Sequence, residues 1–177
     1  MTESAESSAD HLALRVERLP CPVAALICDF DGVLTDNRVI VREDGLESVV
    51  CDRSDGLGLQ MVRDSGVAVG VLSKERNPVV SARCKKLGVA CIQGIDDKLP
   101  VLRKWAEEHG VKMEHLVYIG NDVNDVECLK AAGCGVAVAD AYDVAMEASD
   151  FVLERSGGYG AVRELCDLIL ARNAQAS

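Results

Sequence analysis

Aromatic residues are scarce in this chain: one Trp, three Tyr and two Phe among 177 residues. The core must therefore come from Val, Leu, Ile and Ala, which suits strands buried on both faces of a sheet. Positive charge is also short. Lys and Arg number 19 against 29 Asp and Glu, a net charge of −10. That balance argues against a nucleic-acid-binding domain, which carries a basic patch or stripe, and against docking on an anionic membrane. No apolar run approaches the ~20 residues of a membrane span. Residues 1–10, MTESAESSAD, have neither the basic nor the apolar part of a secretory signal. The eight cysteines form no C-x-x-C pair and fit no zinc spacing. Most lie in apolar runs and read as buried small hydrophobes of a reducing compartment, so a cytoplasmic protein is expected.

The length suits one domain. Residues 1–20 read as a disordered or partly helical leader, 21–173 as the domain and 174–177 as a short tail. Apolar runs stand at 23–28, 67–72, 89–92, 116–120, 135–139 and 150–153. Helix-like stretches lie between and after them, at 55–65, 77–87, 97–109, 123–132, 141–148 and 160–172. This alternation predicts an α/β fold, a three-layer arrangement with a central parallel sheet and helices on both faces. Residues 38–51 break the pattern. Asp44-Gly45 between two short apolar pieces predicts a projecting β-hairpin.

In such folds ligands sit at the carboxyl ends of the strands. The first run ends in Asp29-Phe30-Asp31-Gly32. In an extended segment residues two apart face one side, so Asp29 and Asp31 should project together. Two carboxylates so close favour a bound cation or a shared proton, and oxygen ligands suit Mg²⁺. Taken alone, this D-x-D-G is equally readable as a plain turn. The second run ends at Ser73, whose hydroxyl either donates to a phosphate oxygen or caps the next helix. Lys98 opens a helix, where the dipole disfavours a cation; a bound anion would compensate, or Asp96 or Asp97 would pair with it. The fourth run ends in Gly120-Asn121-Asp122-Val123-Asn124-Asp125, more acid and amide than a cap requires. Together these ends supply a carboxylate nucleophile, a second acid/base, hydroxyl and ammonium donors and a metal. Phosphoryl transfer through an aspartyl-phosphate requires that set.

The order of these motifs resembles the haloacid dehalogenase superfamily over about residues 22–172. It is most similar to the capless branch of Kdo-8-phosphate phosphatases, nonulosonate 9-phosphate phosphatases and the phosphatase-like tails of acylneuraminate cytidylyltransferases. The runs that carry the resemblance are Asp29–Asp36 (DFDGVLTD), Asp52–Gly56 (DRSDG), Val136–Ala141 (VAVADA) and Gly157–Glu164 (GGYGAVRE). The resemblance implies a Rossmann-like sheet with no large cap and a Mg²⁺-dependent phosphomonoesterase. Asp29 would be nucleophile and metal ligand. Asp31 would be general acid and then base, its carbonyl also on the metal. Ser73 and Lys98 would hold the phosphoryl group.

The fourth motif departs from the family pattern. Asn121 stands where most members place a metal-binding Asp, so Asp122 or Asp125 would compensate, with Asn124 beside them. The family uses the loop Asp52, Arg53, Ser54, Asp55 and Gly56 over the phosphate and sugar. Glu75 stands where Kdo-8-phosphate phosphatases usually carry Arg. It resembles the nonulosonate side, with Arg83 and Lys86 left as partners for a sugar-acid carboxylate. The expected substrate is therefore a nonulosonate 9-phosphate, with Kdo-8-phosphate as the alternative and a non-catalytic oligomerisation module as the second. A phospho-accepting receiver is discounted, because the third run ends in Gln93-Gly94 rather than an acid. The resemblance further implies a homotetramer built through the hairpins. The residues past Arg172 are too few for a long covering tail.

Overall fold

The computed structural model describes residues 13–176; the leader up to residue 12 and Ser177 lie outside the described residues. Helix α1, described over residues 13–18, turns Val16 and Leu19 into the core. Its Arg15 pairs with Glu164 at 2.8 Å and also with Glu154. This part of the leader is thus packed onto the domain.

Six parallel strands form the sheet: β1 (Ala25–Cys28), β4 (Ala68–Ser73), β5 (Ala90–Gln93), β6 (Leu116–Gly120), β7 (Cys134–Ala137) and β8 (Phe151–Val152), in the order β5-β4-β1-β6-β7-β8. The strand order reverses at β1, so the ends of β1, β4 and β6 share one crevice, where α/β sheets bind ligands. Strands β1, β6 and β7 are buried at every residue, as their unbroken apolar runs require. Helices α2 (Arg53–Asp64) and α7 (Ala161–Ala174) pack on each other; α4 (Lys98–Glu108), α5 (Val126–Ala131) and α6 (Asp143–Ala148) form a second group; α3 (Val79–Leu87) lies along β5. The hairpin is present as β2 (Ile40–Val41) and β3 (Glu47–Ser48). Its loop is one residue longer than a two-residue turn. Arg42 N donates to Leu46 O, and Gly45 takes the left-handed conformation at φ +80°.

Helix α2 accounts for the Asp52–Gly56 run. Asp52 caps the helix, accepting from Ser54 N and Ser54 Oγ, both at 2.7 Å. Asp55 is fully buried and accepts from Arg163 N at 2.8 Å, so it caps the neighbouring helix α7. Gly56 and Gly58 let α2 approach its neighbours. A Cβ at Gly56 would stand 2.7 Å from Leu87 Cδ2, and one at Gly58 3.0 Å from Arg163 Cδ.

Burial pushes the Asp55 carboxyl up from 3.8 to about 6, against the help of the Arg163 amide. The native state then holds this proton more tightly than the unfolded chain. Asp55 therefore costs stability progressively as pH rises from about 4 through 6. Asp55→Asn keeps an acceptor for Arg163 N and removes that slope. Its melting temperature relative to wild type should climb between pH 4 and pH 7; a flat difference would show that the folded carboxyl titrates normally.

Candidate active site

A cleft of about 390 Å³ opens at the strand ends, lined by Asp29, Asp31, Asn37, Ser73, Lys74, Glu75, Arg76, Asn121, Asp122 and Asn124. Asp29 is buried immediately after β1, and its Oδ1 accepts from Phe30 N at 2.6 Å. The chain then coils: Leu34 N donates to Phe30 O at 2.9 Å. Asp31 thus stands in a turn rather than in an extended segment, yet it lines the same cleft. Thr35, fully buried, holds the turn by accepting from Gly32 N at 3.1 Å and Asn37 N at 3.3 Å.

Lys98 is the first residue of α4 and is 2% exposed. Its Nζ lies 2.8 Å from Asp29 Oδ1 and 2.7 Å from Asp125 Oδ1. These two buried carboxylates, rather than Asp96 or Asp97, pair with the misplaced cation. Burial works against the ammonium, but Asp29 and then Asp125 outweigh it and raise the Lys98 pKa. Asp125 is saturated. Its Oδ1 also accepts from Tyr118 Oη at 2.7 Å, and its Oδ2 from Asn121 N at 2.9 Å and Asp122 N at 3.3 Å. Asp125 therefore organises the turn and is spent as a metal ligand. Tyr118 was silent in the sequence, where it reads as one more apolar strand residue; burial and then Asp125 hold its phenol far above its ordinary pKa, so it stays a donor.

Glycine makes this packing possible at Gly120, where a Cβ would lie 2.5 Å from Asp125 Cβ. At Gly32, φ is +79° and a Cβ would meet Asn121 Nδ2 at 2.1 Å. The distant GGYG run closes the same loop. Gly157 N donates to Asp140 Oδ1 at 2.9 Å, and Gly158 N to Val33 O at 3.0 Å. A Cβ at Gly157 would fall 1.8 Å from Gly32 O. The VAVADA and GGYG runs thus brace the Asp29–Asp36 loop.

The cleft suits a cation. Asn121 Oδ1 is buried without a hydrogen-bond partner. Burial, and then the Asp125 charge, lift the Asp29 carboxyl to about 8 despite Lys98. A divalent ion would satisfy the first and relieve the second. Among the described residues no three acidic, His or Cys side chains converge on one point. The ligands would therefore be mixed: the Asp29 carboxylate, the Asp31 carbonyl and the Asn121 amide oxygen. Asp122 lines the cleft with one oxygen already accepting from Val123 N at 2.6 Å.

Asp31 is half-buried, and its pKa is raised by burial first and Glu75 second, which favours the protonated form that an acid needs. Ser73 Oγ accepts from Glu75 N at 3.1 Å, leaving its O–H to donate into the cleft. Glu75 Oε1 accepts from Arg76 N at 2.6 Å and Asn77 N at 2.8 Å. Part of its acceptor capacity thus closes its own turn.

The structure does not bring the other expected substrate residues to this cleft. Asp52 and Asp55 serve as helix caps, and Ser54 donates its N–H and O–H to Asp52. Arg53, Gly56, Arg83 and Lys86 line a separate cavity of about 310 Å³ between α2 and α3. Arg83 Nη2 donates to Asp52 O at 3.0 Å, tying α3 to the start of α2. The cations at the cleft are instead Lys74 and Arg76. A Lys or Arg beside Ser73 at a strand end was the available signal for them.

Residues 91–164 match the family model of the haloacid dehalogenase-like hydrolases. The 3-deoxy-D-manno-octulosonate 8-phosphate phosphatase KdsC of Escherichia coli (strain K12) is 34% identical over 149 residues, covering 84% of this chain and 79% of that protein. The 3-deoxy-D-manno-octulosonate 8-phosphate phosphatase of Moraxella catarrhalis, solved with a magnesium ion, a phosphate ion and KDO, superposes with a TM-score of 0.85 at 32% identity over 94% of each chain. A Streptomyces avermitilis structure, named no further than a HAD family hydrolase, superposes with a TM-score of 0.83 at 45% identity, covering 86% of this chain and 88% of that one. The chain belongs to the haloacid dehalogenase-like hydrolases, as one of their phosphatases.

Asp125→Ala tests the buried cluster. It leaves Lys98 with one partner, strips Tyr118 of its acceptor and orphans two backbone N–H groups. Breaking a buried ion pair from one side costs about 3–5 kcal/mol, and urea unfolding should show a loss of that order. A loss below about 1 kcal/mol would mean that the cluster rearranges without strain.

Proposed function

We propose that this chain is a Mg²⁺-dependent phosphatase that removes phosphate from a sugar-acid phosphate through an aspartyl-phosphate on Asp29, with Kdo-8-phosphate as the leading substrate. The supporting observation is the buried Asp29–Lys98–Asp125 cluster, whose Asp29 lines a cleft together with Asp31, Ser73 and Asn121, the last with an unpartnered amide oxygen. The names of the relatives reverse the order expected from Glu75 and put the eight-carbon sugar acid ahead of the nonulosonate 9-phosphate. Glu75 keeps the second reading alive, because it lines the cleft and offers an acceptor rather than a cation. The intact cluster argues against a non-catalytic module.

When bound, Mg²⁺ would neutralise charge on the phosphoryl oxygens and orient them toward Asp29. Asp29 Oδ attacks phosphorus as the bond to the sugar oxygen breaks. Asp31 gives that oxygen its proton, then takes one from the water that cleaves the aspartyl-phosphate. Ser73 O–H and the Lys98 N–H that neither carboxylate uses donate to the equatorial oxygens. Lys74 and Arg76 replace Arg83 and Lys86 as partners for the substrate carboxylate. Among the described residues the Arg76 guanidinium pairs with the exposed Asp96 alone, at 3.7 Å.

Assembly belongs to this reading. The hairpin exposes Val39, Ile40, Val41 and Leu46, each by more than half. It is a two-stranded sheet with open edges, and such edges pair with another chain. We assign it to the homotetramer interface.

Phosphate release from Kdo-8-phosphate, two nonulosonate 9-phosphates and an aryl phosphate tests the function. Turnover should favour one sugar acid, vanish with chelator, return with Mg²⁺ and fall at least about a thousandfold in Asp29→Asn. A folded protein inert toward all four overturns the reading. Mg²⁺ affinity should itself depend on pH. Because the Asp29 carboxyl lies near 8 without metal, binding below that pH must release its proton. Calorimetry should therefore show affinity rising from pH 6 to pH 8 with proton release; equal affinity at both would mean that Asp29 is already ionised.

A further inference from the structure

Nine described residues adopt positive φ, and eight of them are glycine. The exception is Asn37, at φ +61°. A side chain in this conformation is strained relative to glycine, although Asn tolerates it better than most residues. Asn usually gains from such a position by bonding its own backbone nearby. Here the backbone bond runs the other way: Asn37 N donates to Thr35 Oγ1 at 3.3 Å. Among the described residues the Asn37 carboxamide makes no hydrogen bond of its own. It is exposed and lines the catalytic cleft together with Asp31 and Glu75. Among the described residues glycine fills every other left-handed position, Gly32 against Asn121 included, whereas position 37 keeps a side chain that lines the cleft. Backbone strain held beside a site is a pointer to function.

We infer that Asn37 is a specificity-determining residue that hydrogen-bonds a hydroxyl or acylamino group of the leaving alcohol. Its place fits. In the mechanism above Asp29, Lys98 and Ser73 hold the phosphoryl end and Asp31 meets the bridging oxygen, and Asn37 lines the same cleft as Asp29, Asp31 and Ser73. A carboxamide both donates and accepts, so it matches a polyhydroxylated or amide-bearing chain and has nothing to offer a bare aromatic ring. This inference rests on the phosphatase reading above.

Asn37→Gly is the direct test. Glycine takes φ +61° freely, so the loop keeps its path while the carboxamide is lost. The expected result is a tenfold fall in kcat/KM for the preferred sugar-acid phosphate, under twofold change for p-nitrophenyl phosphate, and a melting temperature equal to or above wild type. Asn37→Asp, which keeps the shape and the tolerance of this backbone but loses the N–H donors, should show the same selective loss. Equal losses on both substrates, or none on either, overturn the inference and leave Asn37 a turn residue. A wild type that hydrolyses the aryl phosphate without preferring any sugar also overturns it. A wild type inert toward every phosphate fails at the phosphatase reading itself and takes this inference with it.

Discussion

A single buried ammonium organises this molecule. Lys98 sits at the start of a helix, where the dipole repels it, and at a depth where a lone charge would be prohibitive. Two carboxylates from different strand ends meet it, and each is tied further. Asp29 follows the central strand; Asp125 gathers Tyr118 and two backbone amides. The relative placement of β1, β6 and α4 is thereby written into one set of short polar contacts. Such a cluster adds little net stability over apolar packing, but it is expensive to satisfy in any other arrangement. What it secures is geometry: Asp29 cannot wander from Lys98.

Charge balance in the cleft follows from that arrangement. Two of the three Lys98 N–H groups are engaged by Asp29 and Asp125, so among the described residues Asp31, Glu75 and Asp122 pair with no buried cation. The raised Asp29 and Asp31 carboxyls express this deficit in protons. An amide in place of an acid at Asn121 lowers the deficit by one charge and leaves an uncommitted oxygen behind. The site thus asks for less positive charge than an all-acid shell would, and still asks for some.

Much of this was readable before the coordinates. Apolar runs without alternation indicated a buried parallel sheet, and the polar residues that end those runs were the ones that converge. Asp29, Ser73 and Asn121 were legible because a strand end leaves little choice of direction, and Lys98 because a cation at a helix start conflicts with the dipole. The Asp52–Gly56 run misled because its acids do two jobs that look like chemistry in one dimension: they cap α2 and, across the fold, α7. Arg83 and Lys86 lie on a helix, where a one-residue step turns a side chain by about 100°. Tyr118 was hidden inside a hydrophobic string, since only the third dimension supplies its acceptor. Gly157 and Gly158 were visible as an unusual run, but their purpose depends on a loop more than a hundred residues earlier.

That last contact bears on how the protein is made. The loop carrying Asp29 is laid down early in synthesis, yet its brace arrives only with Asp140, Gly157 and Gly158. A chain that stops before these residues has the Asp29–Asp36 loop without this brace. Order in the sequence and dependence in space thus run in opposite directions: the loop after the first strand is finished by contacts from residues more than a hundred positions later.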